Sequence, residues 1–277
     1  MSKLTFPEII SSLVNVYKKY NCKIIGGYPG HFTGKNEMNL FNYVIKGNTI
    51  LSTSGSLSND ELFTFYNLSF YIKPKNIFIV GNSYGISAVF LSLLFPDSNL
   101  VAIDKYRIKG IKFTNKLLSH LKDKKIALKG DSPNDVKSIV NKNFSNNKVD
   151  LVLIDALHTN KAQTDDYEAI LPFLSSSSVV VLHDVINCKL IDSYNFLKQK
   201  YNFNGFLLSK TCSGMAMTFK SKKINQKLQD YLRYSSDNLE TVVKLSKLSD
   251  IINCNSKINK KFIKNHLNFI ISPHPQK

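Results

Sequence analysis

Two carboxylates and two imidazoles follow two short apolar runs in this chain of 277 residues. The first run ends Ile154-Asp155-Ala156-Leu157-His158, and the second reads Val181-Leu182-His183-Asp184-Val185. Apolar runs of this length read as buried parallel strands. Asp155 and Asp184 then fall at the carboxyl ends of adjacent strands and converge on one crevice. Two carboxylates on rigid strand ends can hold a hard divalent cation through oxygen. Such a cation could bind two vicinal oxygens of a substrate and lower a hydroxyl pKa. His158, with an unperturbed pKa of about 6.5, could take the proton. The competing roles are ordinary ones: a loop or capping acid for each Asp, a satisfied loop imidazole for His158, and for His183 a bond that only orients Asp184. Four such groups at successive strand ends favour the chemical reading.

Upstream lies Gly81-Asn82-Ser83-Tyr84-Gly85, directly after an apolar run and ahead of a helix-like one. Glycines there let a ligand approach the backbone, and a helix amino end favours a negative group. Asp104 ends the next apolar run, about twenty residues on, where an acid can accept from both ribose hydroxyls. A chance strand-end acid is the alternative. The GxGxxG spacing of dinucleotide sites is absent.

The elements that must position these groups alternate. Strands are predicted at 76–80, 100–103, 125–128, 149–154 and 179–182, with helices at 86–95, 110–121, 136–140, 165–174 and 191–201 between and after them. Residues 206–208 and 215–219 read as a closing antiparallel pair. Strand–helix alternation implies right-handed crossovers and a parallel sheet. The fold class is therefore α/β: a Rossmann-like, doubly wound, mostly parallel sheet with a closing antiparallel pair and helical N- and C-terminal additions. Residues 1–57 form a helical and loop segment, with helical spacing over 7–20, a breaker cluster at Gly26–Gly30 and a candidate lid from His31 to Ser56. The sheet domain spans 58–220 and opens on a helix capped at Ser58-Asn59-Asp60-Glu61. Residues 221–277 form a basic helical tail, with eleven Lys or Arg against four Asp or Glu. Its apolar spacing (Leu228, Leu232, Leu239, Val242, Val243, Leu245, Leu248) implies packing rather than a nucleic-acid arm.

The stretch from Gly81 to Asp104 resembles the S-adenosylmethionine (SAM) region of class I methyltransferases, and Tyr84–Val89 is similar to the catechol O-methyltransferase branch. There the residues matching Tyr84 and Ser87 lie beside the methionine end of SAM, and Gly130-Asp131-Ser132 resembles the adenine-contacting turn. The resemblance assigns the cofactor to Gly81, Asn82, Ser83, Tyr84, Gly85, Ser87, Asp104, Lys105, Asp131, Ser132 and Asp155. Downstream, the pattern resembles the metal-dependent small-molecule O-methyltransferases grouped with cephalosporin-biosynthesis and macrolide-sugar enzymes. It implies Asp155, Asp184 and His183 as metal ligands, His158 as general base beside Asp155, and Asp166 as a recurrent helix acid. The chain departs from these patterns at Ile79, where an acid is usual, at Ser83, often Gly, and at Ser175–Ser178, which replace a Gly-Gly turn. The expected activity is methyl transfer from SAM to a hydroxyl of a small polar acceptor, with Mg, or with Mn or Fe if His183 ligates. The alternatives are an RNA or protein acceptor, a small-molecule nitrogen, or a non-catalytic scaffold of the same fold. An Asn/Asp-Pro-Pro-aromatic turn, usual in adenine and amide N-methylation, is absent after Ile154.

The net charge of +17 raises a polyanion partner. Its lysines are spread along the chain without aromatic–Arg interleaving, so a nucleic-acid partner is the disfavoured alternative and a homo-oligomer on small-molecule substrate is expected. Four scattered cysteines without a CxxC pair argue against zinc or disulfides and for a reducing cytoplasm. No apolar run is long enough for a membrane span, and no signal peptide is read at the start. His31, His120, His266 and His274 are read as surface residues.

Overall fold

Period-two alternation in the central strands builds the molecule's two cores. In β4 (Asn76–Val80) every residue is buried. Ile77 and Ile79 face one core cluster, and Phe78 and Val80 face the other. The same division runs through β5 (Asn99–Asp104), β7 (Val149–Ile154) and β8 (Leu174–Leu182). A strand buried on both faces must be apolar throughout, which is why these runs read so plainly. The computed structural model describes residues 4–27, 41–52, 55–121 and 124–236.

With β6 (Lys125–Lys129), β9 (Asn204–Leu207) and β10 (Ala216–Phe219), the strands form a seven-stranded sheet of order β6-β5-β4-β7-β8-β10-β9. The first five pair in parallel, and β10 runs antiparallel to both β8 and β9. The α/β, mostly parallel, doubly wound fold with its closing antiparallel pair is therefore present. On one face lie α1 (Phe6–Lys18), α2 (Asn59–Leu68), α3 (Ile86–Leu94), α4 (Ile108–Leu118) and α8 (Gln226–Tyr234). On the other lie α5 (Val136–Asn143), α6 (Asn160–Ile170) and α7 (Ile191–Tyr201).

Three elements depart from the sequence expectations. The N-terminal segment carries a three-stranded antiparallel sheet of β1 (Cys22–Ile25), β2 (Tyr43–Lys46) and β3 (Thr49–Ile50), where loop was expected. The local signal was Gly47-Asn48, a two-residue turn between Lys46 and Thr49 with Gly47 at φ 56°. Second, β8 begins at Leu174, so the polar Ser175–Ser178 run is strand, not turn. Third, α6 starts earlier, at Asn160, with the Thr159 side chain accepting from the Ala162 amide. The expected apolar spacing of the tail is met at Leu228 and Leu232, both buried. Its continuation from Leu239 to Leu248, much of the expected lid, and His31, His266 and His274 lie outside the described residues. No helix among the described residues is long and apolar enough to cross a membrane.

Candidate active site

The turn after β4 is tied on both sides. The Gly81 amide donates to Ile103 O (2.9 Å), and the Asp155 amide donates to Val80 O (2.8 Å). Gly81 sits at φ 99°, and a Cβ there would lie 1.7 Å from Asp155 O. The glycine turn is thus packed directly on the backbone that presents Asp155. Asp104 reaches this turn from β5. Its carboxylate accepts the amides of Asn82 (3.3 Å), Ser83 (3.0 Å), Tyr106 (3.0 Å) and Arg107 (2.9 Å). These four bonds make Asp104 first of all the clamp of the turn. Tyr84 lends its carbonyl to the Tyr17 hydroxyl (2.8 Å), which ties α1 to the same turn. Ser87 is buried on α3, 3.1 Å from Ser56 Oγ. Along the strand ends, Lys105 pairs with Asp131 at 2.9 Å. The bond lowers the Asp131 pKa and raises that of Lys105. Two oxygens here are buried without a well-formed hydrogen bond, Asn82 Oδ1 and Ser132 Oγ.

Asp166 is 4% exposed on α6, close to Ser132. Burial pushes its pKa up to about 6, the neighbouring Ser132 hydroxyl opposes this, and the charges of Asp165 and Asp131 add to the rise. The folded value lies above the unfolded value of about 3.9, so the native state holds a proton that the unfolded chain has lost. Stability therefore falls as pH rises through that window. Asp166→Asn removes the penalty. It is expected to raise the urea midpoint at pH 8, by an amount equivalent to at most about 3 kcal/mol, and to do little at pH 4. Equal effects at both pH values would refute the buried-acid account.

The second half of the site is a network of buried charges. His183 is 3% exposed, and each ring nitrogen faces carboxylate. Nδ1 lies 3.1 Å from both Asp155 Oδ1 and Asp184 Oδ2, and Nε2 lies 3.0 Å from Glu61 Oε2. Burial alone would lower the His183 pKa, but the charges of Asp155 and Glu61 raise it well above its ordinary value. Both ring nitrogens thus face carboxylate oxygens, an arrangement that favours the protonated ring when no ion is bound. Asp184 also meets His158 Nδ1 at 2.9 Å. Burial pushes Asp184 up, but the bonds from His158 and His183 outweigh it and hold the carboxyl well below the usual range. The same bond to Asp184 raises the His158 pKa, against desolvation. Asp184 has φ 56°, a left-handed conformation uncommon for a non-glycine residue. Strain of this kind is held in place by its surroundings, here the two histidines and Asn187 Nδ2 at 3.3 Å.

All four residues expected at the ends of β7 and β8 are thus brought together, within reach of the glycine turn. The donor atoms of Asp155, His183 and Asp184 lie within 4.8 Å of one another, as do those of His158, Asp184 and Cys188. Sequence reasoning missed two participants. Cys188 was set aside as a scattered cysteine. Glu61 was read only as a first-turn acid of α2, a role it does fill: its Oε2 accepts the Ser58 amide at 2.9 Å. It also accepts the Ser213 amide through Oε1 at 2.9 Å, and is wholly buried. Burial would raise its pKa, but the His183 charge and the bonds from His183, Ser213 and Ser58 bring it down to about 2. His120, as expected, is exposed, with Nε2 at 2.7 Å from the Tyr20 hydroxyl.

Residues 79–185, which contain the turn and most of this network, match the family model described as a methyltransferase domain. No curated protein matches the sequence. Among solved structures, the fold is similar to an O-methyltransferase from Bacillus cereus in complex with SAH, at 15% identity and TM-score 0.52, covering 78% of this chain and 92% of that one. It is also similar to a methyltransferase from Geobacter sulfurreducens, at 13% identity and TM-score 0.50, covering 80% and 91%.

Proposed function

We propose that this chain, with its methyltransferase domain over residues 79–185, moves the methyl group of SAM to a hydroxyl of a small polar acceptor. The observation that carries the reading is the Asp184–His158 bond of 2.9 Å beside the Asp155–His183–Asp184 cluster, at the strand ends next to the glycine turn. The cradle suits SAM: Asn82 Oδ1 is a buried polar atom without a partner. Asp104 would share its carboxylate between the turn amides and the ribose, with Lys105 and Asp131 beside the adenine. Ser87, Tyr84 and the backbone from Gly81 to Gly85 would face the methionine end.

The donor set also fits a divalent cation. Asp155 and Asp184 offer hard oxygens, and His183, on losing its Nδ1 proton to the solvent, would add that nitrogen while Glu61 holds its Nε2–H, a carboxylate–imidazole support usual for metal-bound histidine. When bound, such a cation orients two acceptor oxygens and makes the hydroxyl more acidic. The chain's own residues supply the rest. Asp184 fixes the His158 ring through Nδ1–H, a tautomer inferred from that bond, and leaves Nε2 to take the acceptor proton. The acceptor oxygen attacks the methyl carbon in line, the carbon–sulfur bond breaks, and its electron pair stays on sulfur as S-adenosylhomocysteine (SAH). Holding donor and acceptor in that line is the main contribution of the rigid strand ends.

Calorimetric titration with SAM, with and without Mn²⁺ or EDTA, tests the reading, followed by turnover on a panel of vicinal diols. His158→Ala is expected to cut kcat by about 10² to 10⁴ while leaving SAM affinity within about twofold. Absence of SAM binding would remove the cofactor assignment. Turnover indifferent to EDTA and to Asp155→Asn would remove the cation, and full activity in His158→Ala would remove the base.

A further inference from the structure

The opposite end of the sheet, where the strands begin, holds a cavity of its own. Residues leading into β4, β7 and β8, together with those leaving β10, enclose about 520 Å³, a size usual for small-molecule pockets. Four lysines line it, Lys73, Lys75, Lys148 and Lys223, against one carboxylate, Asp150. Asp150 Oδ2 is already engaged by the Lys75 and Asn76 amides, at 2.9 and 3.0 Å. None of the four ammonium groups has an ion pair or hydrogen bond among the described residues. Ser175, which lines the cavity, has a hydroxyl oxygen that is buried and without a hydrogen-bond partner. Native structures rarely leave such a group unanswered, and a ligand acceptor would answer it. Helix α8 begins at the rim. The Asn225 side chain caps its first amides, so the helix adds its positive end to the field rather than free donors. Tyr71, Ile72 and Phe219 add apolar lining.

We propose that this cavity binds an organic phosphate, a small molecule whose phosphate sits among the lysines and accepts from Ser175, and whose apolar part lies on Tyr71 and Phe219. Flexible lysines around a hydroxyl donor suit a compact dianion, and the apolar wall favours an ester over the free ion. The site stands apart from the crevice at the strands' carboxyl ends, so its occupation does not depend on the methyl-transfer reading. It also gives part of the chain's basic excess a localised role.

The test uses the full chain, with and without SAH, and phenyl phosphate, inorganic phosphate and phenol as probes. Amide chemical-shift mapping and calorimetry should place phenyl phosphate at residues 71–75, 146–150 and 219–225, at least tenfold tighter than phenol and tighter than inorganic phosphate. The Lys73→Gln/Lys148→Gln variant should weaken it at least tenfold and Ser175→Ala about threefold, with SAH affinity unchanged. Lys137→Gln/Lys142→Gln, on α5 and outside the cavity lining, should leave it unaltered. Equal losses in both lysine pairs, or equal affinity for phenol, would overturn the proposal. So would a short RNA that binds far more tightly and displaces the ester, because the lysines would then belong to a polyanion surface.

Discussion

Glu61→Ala is expected to cost about 3–5 kcal/mol of folding stability, the usual loss when one partner of a buried ion pair is removed and the other stays. Three donors converge on this one carboxylate: the His183 Nε2–H at 3.0 Å and the amides of Ser58 and Ser213, each at 2.9 Å. Truncation leaves all three without an acceptor in a place water does not reach, since the Glu61 side chain is fully buried. It also opens a void between α2 and the end of β8. Glu61→Gln should cost less. Its oxygen can keep Ser58 and His183, but its amide group then faces the Ser213 N–H, donor against donor, and the charge that balances His183 is gone. Urea denaturation of Glu61→Ala, His183→Gln and the double variant checks the account. Coupling of about 2 kcal/mol or more between the sites is expected, and additivity within about 0.5 kcal/mol would show that the two residues do not act as a pair.

Glu61 lies beyond what the sequence makes legible. Strands β4, β5, β7 and the second half of β8 were plain because burial on both faces forces an unbroken apolar run, and the ends of β5, β7 and β8 then located Asp104, Asp155 and Asp184. His158 and His183 followed from the same strand ends. Glu61 could not follow. It is 122 positions from His183 in the chain, and its local context, three residues after Ser58, already accounts for a carboxylate there. A residue with two simultaneous roles shows only the local one in its neighbourhood. Asp104 illustrates the converse. Its strand-end position suggested a ligand contact, while the fold gives it four backbone amides, a count that depends on how the Tyr106–Arg107 backbone turns back toward the strand end. β8 was cut short for a local reason: across Ser175–Ser178 the register with β7 shifts and Ser176 and Ser177 are exposed, so alternation of apolar side chains is not required. The N-terminal sheet was missed because its strands have four, four and two residues, too few to establish a period, with only the Gly47-Asn48 turn as a cue.

Gly81→Ala should be the most damaging glycine-to-alanine change among the described residues, and it tests whether the turn and the end of β7 form one mechanical unit. Two penalties add. At φ 99° an alanine sits outside the regions L-residues favour, at a cost of order 1–3 kcal/mol. The added Cβ would also lie 1.7 Å from Asp155 O and 2.6 Å from its carbonyl carbon. Both are backbone atoms of a strand end, which cannot rotate aside as a side chain would. Relief requires β4 and β7 to part where Val80 pairs with Ile154, breaking the Asp155 amide bond to Val80 O and shifting Asp155 itself. Against a total stability of about 5–15 kcal/mol, the sum approaches loss of the fold. Gly47→Ala provides the control. Its φ of 56° is likewise positive, but nothing lies within 4 Å of a Cβ there, so only the backbone preference of roughly 1 kcal/mol is lost. Soluble yield, urea midpoint and SAH affinity of the two variants should therefore diverge sharply. If Gly81→Ala keeps a midpoint near that of Gly47→Ala, the turn has room to move independently of Asp155, and the rigid link from the glycine turn to Asp155 is absent.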